Sequence, residues 1–432
     1  MVQTGLTRAE IENLDSMWKA SGFVPTLVAV FAAFGAWSLL LPVIPLAALD
    51  AGHSATIAGA TTGIFMAATV ATQIFTPAML RRIGYNPVMV AAAFMLGVPA
   101  LGHLLDDAVW ALLLFSALRG VGFGALTVAE SALIAELVPA RFLGKASGML
   151  GVFVGVAQMV FLPLGLWTAG QFGYGTVYVA AAVVALVAAV MCLRIPRIRA
   201  QETSREKADV SMWKLVLVPA VAVNSLSMSF GAVSSFLPAA VQELDPVTGA
   251  VIGGFMLSIT GGAAMALRYF SGIVADRAGR AGVTMIPGQL MGFGGVALMA
   301  LVIANGWSVW WLVLAGVLFG GGFGMVQNEA LLEMFQRLPR TKVSEASAVW
   351  NMAYDAGTGI GSFVLGFVAA RAAYSGAYTV AAGIVAVGIL ATVLDRVLGA
   401  HRVAVLDGIR TRLRQIPVPR RSTGKGPRTR LR

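Results

Sequence analysis

Long apolar runs alternate along the chain with short breaks rich in charge, proline or glycine. Twelve such runs can be read, at roughly 24–46, 56–80, 88–105, 109–133, 146–168, 173–194, 215–240, 249–272, 284–303, 308–332, 346–370 and 376–396. A helix needs about 20 apolar residues to cross a hydrocarbon core of about 30 Å. Lipid offers no partner to backbone N–H and C=O groups, so each run must satisfy its own hydrogen bonds as a helix. The pattern therefore predicts an all-α membrane protein of twelve transmembrane helices. The second, fourth, eighth, tenth and eleventh runs are long enough to tilt or protrude.

Composition narrows the class. Of 432 residues, 58% are hydrophobic and only 12% charged, against about 25% charged in an ordinary soluble domain. A soluble enzyme and a disordered chain are both excluded. The net charge of +11 does not point to nucleic acid: the stretch Arg402–Arg432 holds ten Lys/Arg against the single acid Asp407, so the body is nearly neutral. A basic tail beside a bilayer is expected to stay on the inner side and touch anionic lipid. Cys192 is the only cysteine, which rules out an intrachain disulfide, and His53, His103 and His401 have no ligand spacing. No metal or other cofactor is expected. The first run begins near Val24 without a small-residue cleavage pattern, so it is expected to remain as a span. No G-x-x-x-x-G-K-[ST] phosphate loop is present, which argues against direct use of ATP.

Charge in the breaks sets the orientation. With the N-terminus inside, the outward breaks carry Asp50, Asp106, Asp107, Glu243 and Asp245 but only one basic residue, Arg371, whereas 28 of the 31 Lys/Arg fall inward. That asymmetry predicts cytoplasmic termini. The remaining two, Arg119 and Arg268, lie within runs.

The two groups of six runs repeat at an offset of 200. Gly122-Phe123-Gly124 matches Gly322-Phe323-Gly324, Pro139 matches Pro339, and Ala146-Ser147 matches Ala346-Ser347; Glu130-Ser-Ala-Leu recurs as Glu329-Ala-Leu-Leu with one residue slipped. The expected organisation is an N-terminal arm (1–23), a six-helix bundle (24–194), a charged linker (195–214), a second six-helix bundle (215–396) and a basic tail (397–432). Parallel repeats of this kind place a substrate site between the halves near the bilayer midplane, with access alternating as the halves rock.

The chain resembles the major facilitator superfamily from about Val24 to Arg396. The segment Gly272-Ile-Val-Ala-Asp276-Arg277-Ala-Gly279-Arg280 matches that family's G-x-x-x-D-R-x-G-R loop after the eighth span. The segment Ala353-Tyr354-Asp355-Ala-Gly357-Thr-Gly359-Ile-Gly361 resembles the glycine-rich eleventh span of its bacterial proton-coupled exporters. The first-half copy of the loop departs from the pattern: Pro77, Arg81, Arg82 and Gly84 stand at its places, with Arg81 where Asp is usual. The arginine usual in span four is replaced by Ser116, and Arg119 follows three positions later.

Intramembrane charges are costly, so each is a candidate for function. Arg119 lies about 18 Å along its helix from Asp107 at 1.5 Å per residue; the resemblance implies that span four lines the central cavity, with Arg119 facing substrate or a carboxylate across it. Asp355 is a candidate proton carrier, because desolvation raises a carboxylate's pKa; a fixed hydrogen bond is the structural alternative. Glu130 and Glu329 are further proton-coupling candidates, expected near the cytoplasmic mouth in a solvated setting. Arg268 is expected to snorkel or brace a loop. Trp37, Gln73, Asn224, Gln327 and Asn328 are cavity candidates or helix–helix partners, since amides in lipid require partners.

The loop motif yields a sharper expectation. In the family this loop's Asp faces the start of span five or eleven, where the helix end is positive. Asp276, with Arg277 and Arg280, would face Lys145; Arg81 would face Glu345, the counterpart of Lys145 at the 200 offset. Both contacts would be salt bridges, one of reversed sign, closing the cytoplasmic side.

These features predict a secondary transporter of a small organic compound in a bacterial inner membrane, acting as a monomer by alternating access. The resemblance implies proton-coupled efflux. A proton-coupled importer or a uniporter of an organic anion held by Arg119 is the alternative; a multispan enzyme or sensor fits poorly.

Overall fold

A computed structural model describes residues 8–53, 55–200 and 212–398, and among these residues every regular element is helical. A short helix α1 (Arg8–Glu12) and a 3-10 turn (Met17–Lys19) precede α2 (Phe23–Leu40), α3 (Val43–Asp50) and α4 (Ala55–Arg82). Then come α5 (Tyr85–Gly97), prolonged as a 3-10 turn (Val98–Leu104), α6 (Val109–Leu137), α7 (Leu143–Phe172) and α8 (Tyr174–Leu193). The second half contains α9 (Met212–Leu244), α10 (Pro246–Ala278), α11 (Met285–Asn305), α12 (Trp310–Arg337) and α13 (Val343–Leu398).

Among the described residues eleven stretches are long and apolar enough to span a bilayer, α2 and α3 together forming the first. The eleventh, α13, is interrupted by non-helical backbone at Ala372 and Ala373, so it consists of two arms. The repeat explains the interruption. Gly173, between α7 and α8, has φ 81° and ψ 164°, and its counterpart at the 200 offset, Ala373, has φ 54° and ψ −177°. One α13 thus stands where the first half has two helices.

Two details differ from the sequence reading. The first run is divided at Leu41–Pro42, because Pro42 and Pro45 cannot donate backbone hydrogen bonds. The beginning of the linker is not a free tether. Ile198 accepts a hydrogen bond from the Tyr85 N–H (2.9 Å), Ala200 donates to the Leu80 carbonyl (3.3 Å), and the Asn86 amide closes the end of α8 through Cys192 and Ile195. The basic tail expected to touch anionic lipid lies outside the described residues from 399 onward, as does linker 201–211.

Glycines set the helix crossings, and they do so in duplicate. A Cβ on Gly120 or Gly124 would lie 2.2–2.3 Å from the Phe65 and Thr69 carbonyls of α4; one on Gly320 or Gly324 would lie 2.0–2.1 Å from the Thr260 and Ala264 carbonyls of α10. Gly122 and Gly322 likewise press on the backbones of α5 and α11. Without a hydrophobic force between helices in lipid, such close backbone approach is what holds them together. Because consecutive helices run antiparallel, alternate turns share an end. One end carries Arg81, Arg82, Arg141, Lys145, Arg277, Arg280 and Lys342, and is called the basic end; the other carries Asp50, Asp106, Asp107, Glu243 and Asp245.

Candidate functional site

At the basic end the halves meet backbone on backbone. Cβ atoms on Gly144 of α7 and Gly272 of α10 would lie within 2.4 Å of the other's carbonyl oxygen. Asp276, four residues further along α10, accepts from the Gly144 N–H (2.7 Å, Oδ1) and the Lys145 N–H (2.8 Å, Oδ2). The carboxylate therefore caps the first turn of α7, where backbone donors lack intrahelical partners and the helix dipole is positive. This corrects the expected Asp276–Lys145 salt bridge: the loop reaches the predicted helix start but binds its backbone. The second contact is an ion pair. Arg81 Nη1 lies 2.5 Å from Glu345 Oε1, and Lys342 Nζ lies 3.1 Å from the same oxygen. Arg277 and Arg280 are exposed at this end.

Deeper in, a polar strip joins α6 to α13. The Ser131 and Ser347 hydroxyls are 2.6 Å apart, Ser347 also donates to the Val128 carbonyl, and the Asn351 amide donates to Thr127 and Ser131. Gln73 of α4 crosses between the halves: its amide nitrogen donates to Asp355 Oδ2 at 2.6 Å and to Thr127 Oγ1 at 3.3 Å. Gly357 and Gly361, after Asp355, receive the Asn224 and Met228 segment of α9. Asn224 itself donates to the Ala353 carbonyl (2.8 Å), so it is a bond between helices of one half.

Arg268 occupies the middle of this interface. Its Nη1 donates to Gln327 Oε1 (2.9 Å), its guanidinium lies 5.6 Å from the centre of the Trp350 ring, and it fills the space beside Gly151 of α7. Glu130 on α6 is also buried, with Oε2 unbonded. From Trp350 an aromatic stack runs through Tyr354 and Phe323 to Phe319, with centroid spacings of 5.6–5.8 Å and interplanar angles of 9–18°. The expectation of a snorkelling Arg268 is therefore wrong: the glycine-lined face of α7 lets the guanidinium turn inward, where an amide and a ring replace water.

The two other glutamate expectations also change. Glu130 and Glu329 are both buried rather than solvated. Glu329 is taken up by the turn before α11: it accepts from Thr284 Oγ1 (2.7 Å), from the Thr284 N–H (3.3 Å) and from the Gly282 N–H. Four such bonds, with Ser271 as the weakest, make it a brace for that turn rather than an open proton acceptor. Asn328 is fully buried beside it, with neither amide atom bonded.

Arg119 does not face the junction of the halves. It borders a small pocket lined by Trp37, Leu40, Leu41, Ile44, Pro45, Thr61, Thr62, Phe65 and Ser116, all from the first half. The resemblance placed span four along the central cavity; here the face of α6 that bonds to α13 carries Thr127 and Ser131, and Arg119 lies on the face toward α2 and α4. Residues missed in the sequence are the Gly144–Gly148–Gly151 face of α7, the Ser131–Ser347–Asn351 strip and Gln289, fully buried with both amide atoms unbonded. Hydroxyls that staple helices are common in any span, so only the 200-residue recurrence of Ser147 and Ser347 hinted at the strip.

Known proteins share this architecture. The profile of the Major Facilitator Superfamily matches residues 26–332. The purine ribonucleoside efflux pump NepI of Salmonella enteritidis PT4 is 26% identical over 235 residues, covering 52% of this chain and 59% of that protein; its counterpart in Salmonella typhi is 25% identical over the same length. The chain thus spans about three-fifths of the length of the curated relatives it matches. The fold is similar to that of the proton:xylose symporter XylE bound to 6-bromo-6-deoxy-D-glucose, with a TM-score of 0.70 and 14% identity over 87% of this chain and 95% of that one. It is also similar to the human organic anion transporter MFSD10, with a TM-score of 0.67 and 14% identity over 86% and 98%. At that identity the likeness is one of fold alone. With the profile matching most of its length, this multi-pass membrane protein belongs to the Major Facilitator Superfamily.

Proposed function

We propose that this protein exports a small organic compound by alternating access, drawing on a proton gradient. The observation that carries the reading is the Gln73–Asp355 hydrogen bond. It joins α4 to α13, so any rocking that opens the basic end must break it. Asp355 lies twelve residues into α13, about 18 Å from its start at 1.5 Å per residue. A carboxylate at that depth is held charged by one amide; once the amide withdraws, the neutral acid is the cheaper species. Protonation and opening are then coupled.

The basic end is the cytoplasmic one in this reading, by the positive-inside rule; the Salmonella relatives support a bacterial membrane, which this reading takes to be the inner one. The two bundles, 24–194 and 215–396, are the moving bodies. Monomeric action and contact of the basic tail with anionic lipid complete the picture. Contacts through Asp276, Arg81 and Ser131 keep the cytoplasmic side shut, leaving the outward-facing form. Efflux follows the direction of the NepI pump, whose name puts purine ribonucleosides first in any test panel.

The test is transport by purified protein in vesicles with an imposed pH gradient and an internal pH dye, screened against purine ribonucleosides and other small organic compounds. A compound-dependent proton flux is expected in wild type and is expected to vanish in Asp355→Asn. Flux of equal size in Asp355→Asn would remove the proton role from that carboxylate.

A further inference from the structure

The chain leaves α8 at the basic end as a strap whose two faces differ. Ile195, Pro196 and Ala200 are buried, whereas Arg194, Arg197 and Arg199 are exposed. Backbone bonds to the α4–α5 turn and the Asn86 amide hold the strap in place. A Cβ on Gly84 of that turn would lie 2.9 Å from the Ile198 carbonyl, and the Arg199 stem lies over the same glycine. The three guanidinium groups therefore hang from a fixed backbone. Among the described residues no carboxylate lies within ion-pair distance of any of them. Arg197 also borders a groove of about 600 Å³ between α5 and the end of α8. Its other walls include Pro87, Val90, Phe94, Met95 and Leu193, with the Phe94 and Leu193 side chains exposed.

The second half shows that the duplicated frame does not require this pattern. At the 200 offset Arg194 and Arg197 become Leu394 and Val397, both exposed, and the groove wall Phe94 becomes Gly294. The basic residue there, Arg396, is spent on the Gly282 carbonyl. One half thus shows cations where the other shows hydrocarbon. The groove and the strap face different layers of a membrane. Phe94 lies nine residues into α5, about 14 Å from its start at 1.5 Å per residue, so the apolar walls descend among acyl chains. The arginines sit where α8 ends, at the level of headgroups. A guanidinium fits phosphate oxygens in a two-pronged bond, and basic segments at a bilayer surface draw anionic lipid. A zwitterionic headgroup brings its own ammonium, which repels the same arginines. A soluble partner reaches the strap but leaves the groove empty.

We propose that strap and groove form a binding site for one acidic phospholipid, its phosphate on Arg194, Arg197 and Arg199 and one acyl chain between α5 and α8. The site is separate from the basic tail and does not depend on what the protein transports. A phosphate among three like charges removes their mutual repulsion and so steadies the joint between α8 and the α4–α5 turn.

The full-length protein in a neutral detergent is incubated with phosphatidylglycerol or phosphatidylcholine carrying the same photoreactive acyl chain, and crosslinked peptides are mapped by mass spectrometry. Mapping separates lipid in the groove from lipid held on the tail. At limiting concentration phosphatidylglycerol is expected to label α5 and the end of α8 at least tenfold more than phosphatidylcholine, with no such preference on α11 and the last arm of α13. Replacing Arg194, Arg197 and Arg199 together by Gln is expected to abolish the preference, and replacing them by Lys to keep part of it. Ala91→Trp, which fills the groove and leaves all three arginines in place, is expected to remove labelling there by both lipids. Equal labelling by the two lipids, the same preference in the second half, an undiminished preference in the Gln variant or undiminished labelling in Ala91→Trp would overturn the proposal. Displacement of the lipid by free glycerol phosphate would overturn it in favour of a soluble phosphate site. A preference that emerges only when Glu202 and Glu206 are changed to Gln would mean that the linker's own acids serve the arginines, and would overturn it as well.

Discussion

Each half of the molecule holds one arginine against a run of aromatic rings, and the two are wired differently. In the first half Arg119 lies over Phe65, which leads to Phe123 and Trp37. In the second half Arg268 lies over Trp350, which leads through Tyr354 to Phe323, the 200-offset partner of Phe123. The scaffold is shared down to the glycines that let α6 touch α4 and α12 touch α10. The charges are not. Arg268 has an amide acceptor in Gln327 and packs against Gly151 of the other half; Arg119 has one carbonyl and, among the described residues, no carboxylate within ion-pair distance. A duplicated frame thus carries one guanidinium seated between the halves and one enclosed within the first half.

Replacing both arginines separates these roles and gives the largest expected effect. Arg268→Leu leaves the buried Gln327 Oε1 without its donor. A buried acceptor left unpaired costs about 1–3 kcal/mol, and more where its partner was charged, so the melting temperature should fall. Arg119→Leu leaves only the Leu96 carbonyl short of a donor and deletes an uncompensated charge, so stability should hold or rise. Equal losses in the two variants would show that Arg119 has a hidden structural partner and would erase the distinction.

The turn between the last two arms of each half gives a smaller contrast. Gly173 and Ala373 both adopt positive φ, at 81° and 54°. With ψ at 164° and −177° both lie in a region essentially reserved for glycine, which costs a residue with a Cβ about 1–3 kcal/mol. Ala373→Gly should therefore raise thermal stability by up to that amount, and Gly173→Ala should lower it similarly. If Ala373→Gly is neutral or destabilising, the interruption in α13 is not a strained counterpart of the first-half turn.

Much of this frame is legible in the sequence because it rests on one-dimensional signals. Run length and basic asymmetry fix the helical membrane class, and the 200-residue recurrence of Gly122-Phe123-Gly124 predicts the paired crossings. What escapes is direction. A helical position says how deep a side chain sits but not which neighbour it faces, so the sequence reading puts Arg119 at the central junction and Arg268 at the surface. The small residues that turn Arg268 inward belong to α7, more than a hundred positions away. Glu329 is misplaced for a related reason: its partners are the N–H groups of Gly282 and Thr284, and backbone donors leave no trace in residue type. The Gln73–Asp355 bond joins two residues singled out separately, and only the fold brings them together.

The two contacts at the basic end sharpen the comparison with the smallest effect. Asp276 caps a helix through its backbone, while Arg81 pairs with a side chain, so the same substitution logic should give opposite results. A cap depends on an acceptor, and Asn is about as good an N-cap as Asp; Asp276→Asn should keep most of the closed form while Asp276→Ala loses it. The Arg81–Glu345 pair depends on sign and, being partly exposed, is worth about 0.2–1 kcal/mol. That changes an open-to-closed ratio by up to about fivefold. Arg81→Glu and Glu345→Arg should each shift the protein toward opening at the basic end, measured as faster labelling of a cysteine introduced behind the contact. The double reversal should restore closure only in part, because the guanidinium introduced by Glu345→Arg would then face Lys342, whose Nζ now lies 3.1 Å from the carboxylate. Adding Lys342→Glu should complete the rescue. A triple variant that labels as fast as the worse single one would mean that Arg81 and Glu345 lie close without holding anything shut.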